Sequence, residues 1–325
     1  MVIKENLLFI LNRLGERRMF SIHFLQRRNR GLIKYLRRRS AIKYLHSSSQ
    51  EHMKSFDQLV VFAFDNITSD IIVNGQTERY ILQFISTEFA SSMKDKVILD
   101  IGANIGNHSV AFSKIAKEVL AFEPNSEIFE LLSINTRNIK NIKCFNYGAS
   151  NENKTLNAFI PRGKIGSGTI AYSEQSVKFR KPRLDITQNK FKVKKLDEVK
   201  EIYDKNIGLI KLDVEGHELP AFQGLQGLLK KQNPLIMFEQ NRNIFKGTSK
   251  ELEFIKDHGY SFFYEFVSKD TWLTPIWFPK LLCRTLRIFE VLIFGVPNQE
   301  LVLKRISVLQ NKVYPAILAS KKSLI

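Results

Sequence analysis

The fold is decided by residues 97–106, Val-Ile-Leu-Asp-Ile-Gly-Ala-Asn-Ile-Gly. The first five residues, four of them apolar, are typical of a strand buried on both faces of a parallel sheet. The glycines at 102 and 106 allow a tight turn and a close approach of the backbone to a ligand. Asn107 and His108 then open a segment with apolar residues at helical spacing. The stretch therefore predicts a strand, a glycine-containing turn and a helix in immediate succession.

Strand and helix signals of the same kind repeat along the chain. Strands are predicted at 97–101, 119–123, 142–147, 207–213, 235–239 and 260–266, and helices from 107, at 126–138, after Gly216 and at 250–258. The polar residues 150–195 predict a loop or a hairpin over the sheet. Alternation of this kind is typical of an α/β domain with a doubly wound, mostly parallel sheet and right-handed crossovers.

The chain of 325 residues is strongly basic. It contains 50 Lys and Arg against 32 Asp and Glu, a formal net charge of +18. This surplus predicts an anionic partner, either nucleic acid, anionic lipid or an acidic substrate. The composition is 44% hydrophobic and 25% charged, which excludes a wholly disordered or collagen-like chain. The two cysteines, Cys144 and Cys283, suit no metal-binding spacing and favour a reducing compartment.

Two segments outside this alternation combine basic and apolar residues. Residues 1–50 contain 12 basic residues and two acids, with apolar residues at spacings that suit basic amphipathic helices on a membrane surface or RNA. A helical extension packed on the protein itself fits equally well. Residues 272–296 contain both tryptophans among apolar and basic residues, which suits a membrane interface, packed helices or a dimer contact. We expect a cytoplasmic protein with a peripheral membrane contact, and the oligomeric state stays open.

The residues at the predicted strand ends indicate a cofactor, because ligands of doubly wound sheets bind beyond the carboxyl ends of the strands. Glu123 follows Asp100 by 23 residues, which suits a carboxylate that accepts hydrogen bonds from both ribose hydroxyls. The dinucleotide fingerprint fails, because Asn104 and Asn107 occupy two of its three glycine positions. Asp100 would repel a pyrophosphate but suits a cationic amino-acid end. These features predict S-adenosylmethionine, which joins adenosine to a sulfonium and an ammonium group.

Three motifs resemble the FkbM-type S-adenosylmethionine-dependent methyltransferases: Asp100 to Gly106, Phe122-Glu123-Pro124, and Ile210 to Glu218 (Ile-Lys-Leu-Asp-Val-Glu-Gly-His-Glu). The resemblance covers about residues 75–267. It implies a Rossmann-like class I methyltransferase fold with a seven-stranded, mostly parallel sheet, whose antiparallel last strand lies at 314–319. It also implies methyl transfer to oxygen, often a sugar hydroxyl, so the acceptor would be a glycan or another small hydroxyl compound.

The resemblance further implies a set of cofactor-binding residues. The glycine loop would line the methionine part of the cofactor, the acid after the second strand would hold the ribose, and the residues after the third strand would lie near the adenine. In chain order these residues are Asp100, Gly102, Asn104 and Gly106 for the methionine part, Glu123 for the ribose, and Gly148 and Ala149 for the adenine.

A hydroxyl acceptor is a poor nucleophile at neutral pH, so a base or a metal ion must help to remove its proton. The candidates stand at the ends of the fourth and fifth strands: Asp213, Glu215, His217 and Glu239. Histidine is the usual base, because its pKa is about 6.5. Glu215 and His217 could equally cap or brace the helix after Gly216. A divalent metal ion held by these carboxylates is not expected, although metal dependence stays open.

These expectations divide the chain into four parts: a basic helical extension at 1–55, a methyltransferase core at 56–267, an apolar and basic insertion at 268–300, and a part at 301–325 that completes the sheet. Two other functions compete, an RNA methyltransferase that uses the basic arm and a catalytically inactive, membrane-associated interaction protein. Nucleic acid is the less favoured partner, because the sequence shows no aromatic stacking platform. The glycine loop and strand-end acids together argue against an inactive protein.

Overall fold

The structure is a computed structural model that describes residues 57–62, 67–68, 71, 75–161, 186–240, 247–269 and 300–325. The basic extension and nearly all of the insertion predicted at 268–300 lie outside these residues, and with them the expected contacts to membrane, RNA or a second subunit. Residues 52–267 and 302–325 group into one compact unit. Among the described helices, none is long and apolar enough to cross a membrane. The division of the chain into four parts stays a prediction.

Helices and strands alternate along the described residues. The helices are α1 (Arg79–Glu88), α2 (Ala90–Met93), α3 (Asn107–Ser113), α4 (Ser126–Thr136), α5 (Lys200–Tyr203), α6 (Glu218–Gln223), α7 (Gln226–Lys231) and α8 (Lys250–Asp257), with a 3-10 turn at Leu196–Glu198. The strands are β1 (Val97–Ile101), β2 (Glu118–Phe122), β3 (Ile142–Phe145), β4 (Gly148–Ala149), β5 (Lys154–Pro161), β6 (Ile186–Lys194), β7 (Ile207–Leu212), β8 (Leu235–Gln240), β9 (Phe262–Lys269), β10 (Glu300–Arg305) and β11 (Tyr314–Ser320).

The main sheet of the described residues has the strand order β10-β9-β11-β8-β7-β1-β2-β3. Strands β3, β2, β1, β7 and β8 are parallel, whereas β11 is antiparallel to both β8 and β9. The strand order reverses between β1 and β7, and such a switch point opens a crevice at the carboxyl ends of the strands. This confirms the predicted Rossmann-like fold with its antiparallel last strand. The sheet has one strand beyond the seven predicted, because β10 extends its edge next to β9.

A second sheet is formed where the sequence predicts a loop or a hairpin. Strands β5 and β6 pair antiparallel from Lys154 opposite Val193 to Pro161 opposite Ile186, in agreement with the hairpin. The short strand β4 adds to β6 in parallel. Residues 162–185, between the two long strands, lie outside the described residues.

The ends of several elements differ from the predicted ones. Strand β2 ends at Phe122 and β7 at Leu212, so Glu123 and Asp213 are the first residues after their strands. Strand β9 begins and ends later than predicted. The single helix predicted after Gly216 is two short helices, α6 and α7. The chain bends between them at Gly224, where a Cβ atom would collide with the carbonyl oxygen of Ser150.

The apolar core covers both faces of the main sheet, because successive side chains of a strand point to opposite faces. On one face, Leu99 of β1 belongs to the same cluster as Phe222 of α6. On the other face, Ile98 belongs to a cluster with Phe112 of α3. All residues of β1 and β7 are buried. The alternation places Asp100 on the same face as Ile98, so a carboxylate enters an otherwise apolar layer.

Helix α7 is capped by a carboxylate from outside the helix. The Oδ2 and Oδ1 atoms of Asp197 accept hydrogen bonds from the backbone N–H groups of Gly227 (2.7 Å) and Leu228 (2.9 Å). Both amides lie in the first turn of α7, where they have no partner within the helix. Asp197 therefore joins the 3-10 turn before α5 to the beginning of α7.

We expect Asp197→Ala to lower the free energy of unfolding by about 1–3 kcal/mol, because two amides lose their acceptor. Urea denaturation measures the loss. The matched control is Glu198→Ala, since the neighbouring carboxylate is exposed and binds Lys195 and Asn153 at the surface, where such pairs contribute little. Equal losses in the two variants would show that the cap does not stabilise the fold.

Candidate functional site

The loop between β1 and α3 turns through three left-handed residues, with φ of +77° at Gly102, +51° at Asn104 and +94° at Gly106. A Cβ atom at Gly102 would collide with the backbone carbonyl oxygen of Asp213. Only glycine fits this position, for its backbone conformation and for the close approach of β7. Asparagine tolerates the left-handed region better than most residues, which explains Asn104 between the two glycines. The loop therefore lies directly against the end of β7.

Glu123, the first residue after β2, is in direct contact with this loop. Its Oε2 accepts a hydrogen bond from the N–H of Asn104 (3.0 Å), and its Oε1 accepts one from the N–H of Asn125 (2.9 Å). The residue is 7% exposed, and this burial raises the pKa of Glu123 to about 7 although both backbone hydrogen bonds lower it. Each carboxylate oxygen retains further capacity to accept hydrogen bonds. The structure thus brings the predicted glycine loop and acid together.

A buried lysine that the sequence analysis did not select holds the loop to β7. Lys211 Nζ donates to the carbonyl oxygen of Gly102 at 2.8 Å, and lies 3.3 Å from Asp100 Oδ1 and 3.7 Å from Asp213 Oδ2. Lys211 is 5% exposed and Asp100 is fully buried. Burial lowers the pKa of Lys211, but the charges of Asp100 and Asp213 outweigh it and raise the pKa above its ordinary value. The sequence did hold a signal, since a lysine in an apolar strand needs a buried partner.

One oxygen of the Asp100 carboxylate accepts a hydrogen bond, whereas the other has only an ion-pair contact. Ser109 Oγ donates to Asp100 Oδ2 at 2.6 Å. Oδ1 has the ion-pair contact with Lys211 but no hydrogen bond of normal geometry within the described residues. Asp100 therefore lies beside the glycine loop with its charge balanced by Lys211.

Asp213 and Glu239 form a carboxylate pair at the ends of β7 and β8. The two strands pair up to Leu212 and Phe238, so Asp213 and Glu239 are the residues that follow the last pair, and the charge of Asp213 acts on Glu239. The side chain of Asp213 is 43% exposed. Burial raises the pKa of Glu239 to about 8, and the charge of Asp213 is the largest of several carboxylate charges that add to this. Glu239 therefore retains its proton at neutral pH.

The remaining candidates lie in the loop between β7 and α6. Glu215 and Gly216 are both left-handed, with φ of +53° and +96°. Nε2 of His217 lies 3.0 Å from Oγ of Ser150, a fully buried residue directly after β4. Burial lowers the pKa of His217. This contact joins the loop after β7 to the residue after β4, and both roles considered for His217, proton transfer and bracing, stay predictions.

The two residues predicted near the adenine form β4. A Cβ atom at Gly148 would lie 3.4 Å from the ring of Pro124, so β4 lies beside the residue that follows Glu123. The side chain of Ala149 is 2% exposed and belongs to the apolar core. The structure thus places Gly148 near the acid, whereas Ala149 offers a ligand no side-chain contact.

The residues before β1 also reach this region, which the sequence analysis missed. Thr77 N–H donates to Asn107 Oδ1 at 3.2 Å, and Asn107 Nδ2 donates to the carbonyl oxygen of Thr77 at 3.0 Å. Glu78 Oε2 lies 3.0 Å from Nε2 of His108. Glu78 is left-handed, with φ of +52°, which is costly for a residue with a Cβ atom. These contacts join residues 30 positions apart, and no local pattern signals them.

The described residues contain no group of three or more His, Cys, Asp or Glu side chains arranged to hold a metal ion. The site so far consists of a glycine loop, a strand-end acid and a buried lysine–carboxylate cluster at the switch point of a doubly wound sheet. In a Rossmann-like fold, ligands bind in the crevice at this switch point. Residues 100–262 match the family model described as the methyltransferase FkbM domain, and the chain belongs to this family.

One relative and two solved structures show how far the similarity extends. The hexuronic acid methyltransferase AglP of Haloferax volcanii is 31% identical over 145 residues, which are 44% of this chain and 56% of that protein. The chain thus matches little more than half of that relative. The structure of an FkbM methyltransferase from Methylobacillus flagellatus is 16% identical, with a TM-score of 0.31, over 61% of this chain and 48% of that one.

A SAM-dependent O-methyltransferase from Thermotoga maritima gives a TM-score of 0.37 at 11% identity, over 80% of this chain and 72% of that one. Both TM-scores are low, and neither structure adds to what the strand order and the family match establish.

The raised pKa of Glu239 predicts a pH-dependent stability. The folded protein keeps the Glu239 proton up to about pH 8, whereas the unfolded chain releases it near the ordinary value of 4.5. Stability from this group is therefore lost as the pH rises between these values. We expect Glu239→Gln to raise the melting temperature relative to wild type at pH 9 and to leave it nearly unchanged at pH 4.5.

Thermal denaturation followed by circular dichroism measures this difference at each pH. Glu130→Gln is the control, because it makes the same chemical change at an exposed position of α4. If the melting temperatures of the two variants had the same pH dependence, the conclusion that the folded protein buries Glu239 in its uncharged form would be wrong.

Proposed function

We propose that the protein transfers a methyl group from S-adenosylmethionine to an oxygen atom of a glycan or another small hydroxyl compound. The observation that carries this proposal is the hydrogen bond from the backbone N–H of Asn104 to Glu123, which joins the glycine loop to the strand-end acid at one edge of the sheet. Membership of the FkbM methyltransferase family supports the reaction class. The name of the Haloferax volcanii relative supports an acceptor that contains a sugar.

The residues present fit this cofactor at both of its ends. Glu123 can accept hydrogen bonds from the ribose hydroxyls through its remaining lone pairs. The half-exposed carboxylate of Asp213 suits the cationic amino-acid end. The absence of a side chain at Gly102 lets the backbone of the loop lie directly against the end of β7. When bound, S-adenosylmethionine supplies a methyl group already activated by the sulfonium.

The task of the chain is then to align an acceptor hydroxyl and to take its proton. The carbon–oxygen bond forms as the carbon–sulfur bond breaks, the electron pair of the broken bond stays on sulfur, and the hydroxyl proton moves to a carboxylate. The candidates for this role are the carboxylates of Asp213 and Glu239. Glu239 is the better matched base, because its pKa of about 8 lies close to neutral pH.

We expect Glu123→Ala to weaken the binding of S-adenosylmethionine by at least about 100-fold, because two hydrogen bonds to the ribose hydroxyls are lost at roughly 1.5 kcal/mol each. Isothermal titration calorimetry measures the dissociation constant. Glu130→Ala removes a carboxylate from an exposed position of α4 and should bind as wild type does. Folded wild-type protein that binds no S-adenosylmethionine would refute the proposal.

The acceptor chemistry has a separate test. With a donor labelled in its methyl group, mass spectrometry of reactions with neutral glycans and hexuronic acids identifies the methylated product. For a hydroxyl acceptor, the rate should rise with pH through about 8, since a base must be ionised to take a proton. Glu239→Gln should lower the rate and remove this rise. A pH profile that is the same in the variant would exclude Glu239 as the base.

A further inference from the structure

Lys211 is difficult to explain by stability alone. Its neighbours in β7, Ile210 and Leu212, are fully buried, and Lys211 itself is 5% exposed. Removing an ion pair from water costs free energy that the attraction of the two charges often fails to recover, and apolar residues of similar volume serve a core at least as well. A lysine at this position therefore points to a function of its charge.

The charge lies at the cofactor site described above. Lys211 Nζ donates to the carbonyl oxygen of Gly102, the first glycine of the loop, and contacts Asp100 and Asp213 at 3.3 and 3.7 Å. The charge of Lys211 also acts to lower the pKa of two further carboxylates, Glu78 and Glu123. Lys211 is thus a fixed cation shared by the acids that surround the loop.

We propose that Lys211 is a positioning residue that holds the glycine loop and sets the charge balance of the cofactor site. Its positive charge weakens the binding of S-adenosylmethionine, whose sulfonium is positive, relative to the binding of S-adenosylhomocysteine, whose sulfur is uncharged. This inference rests on the proposed function. The two ligands differ by one methyl group and one positive charge, and a buried cation acts strongly on such a difference because the protein interior screens charges weakly. The positive charge on sulfur disappears as the methyl group leaves. Lys211 therefore favours the transition state over the bound substrate.

The test compares the two ligands on the full chain by calorimetry, without any acceptor. In Lys211→Met, the ratio of the dissociation constant for S-adenosylmethionine to that for S-adenosylhomocysteine should fall at least about fivefold from the wild-type ratio. Lys211→Arg keeps the charge and should keep the ratio within about twofold, even where the different shape weakens both ligands. A lysine with a purely structural role would, when replaced, weaken both ligands equally.

A second pair of variants covers the case in which Lys211→Met does not fold, since that change leaves Asp100 buried without its cation. Asp100→Asn alone is compared with Asp100→Asn combined with Lys211→Met, and the loss of lysine should lower the ratio in this background too. An unchanged ratio in both comparisons overturns the inference and leaves the proposed function intact. Wild-type protein that binds neither ligand overturns the proposed function, and this inference with it.

Discussion

The site depends on one cross-strand interaction, the contact of the Lys211 ammonium group with oxygens from three places in the chain. It joins the end of β7 to Asp100 in β1 and to the carbonyl oxygen of Gly102 in the loop that follows. Without this cation, the buried carboxylate of Asp100 would lose its counterion, and the carbonyl oxygen of Gly102 would lose its donor. The loop that Lys211 contacts contains the left-handed turn. It also makes the close approach to β7 and the contact with Glu123.

The sequence predicted the convergence of the site well, because convergence follows from topology. Parallel strands end at one edge of a sheet, so residues that follow β1, β2 and β7 must come close whatever their side chains do. The glycines at 102 and 106 are recognisable because each stands in a left-handed conformation. Strand ends were less certain, since a sequence does not show where the ladder of hydrogen bonds stops.

What the sequence could not predict depends on register and on contacts between distant residues. The placement of Asp213 and Glu239 after the last pair of β7 and β8 follows from the pairing of Leu212 with Phe238, which no local pattern encodes. The contact of His217 with Ser150 joins residues 67 positions apart, and no local pattern signals it. Strand β10 has mostly exposed side chains, and its pattern is too weak to distinguish an edge strand from a loop.

The position of β11 has a consequence for synthesis on the ribosome. Residues 314–320 fill the space between β8 and β9, which are complete by residue 269. Until those late residues emerge, both earlier strands expose unpaired backbone groups and one side of the central layer has a gap. Pairing of other segments with β8 or β9 would compete with β11 during synthesis. The main sheet is complete only after β11 has been translated.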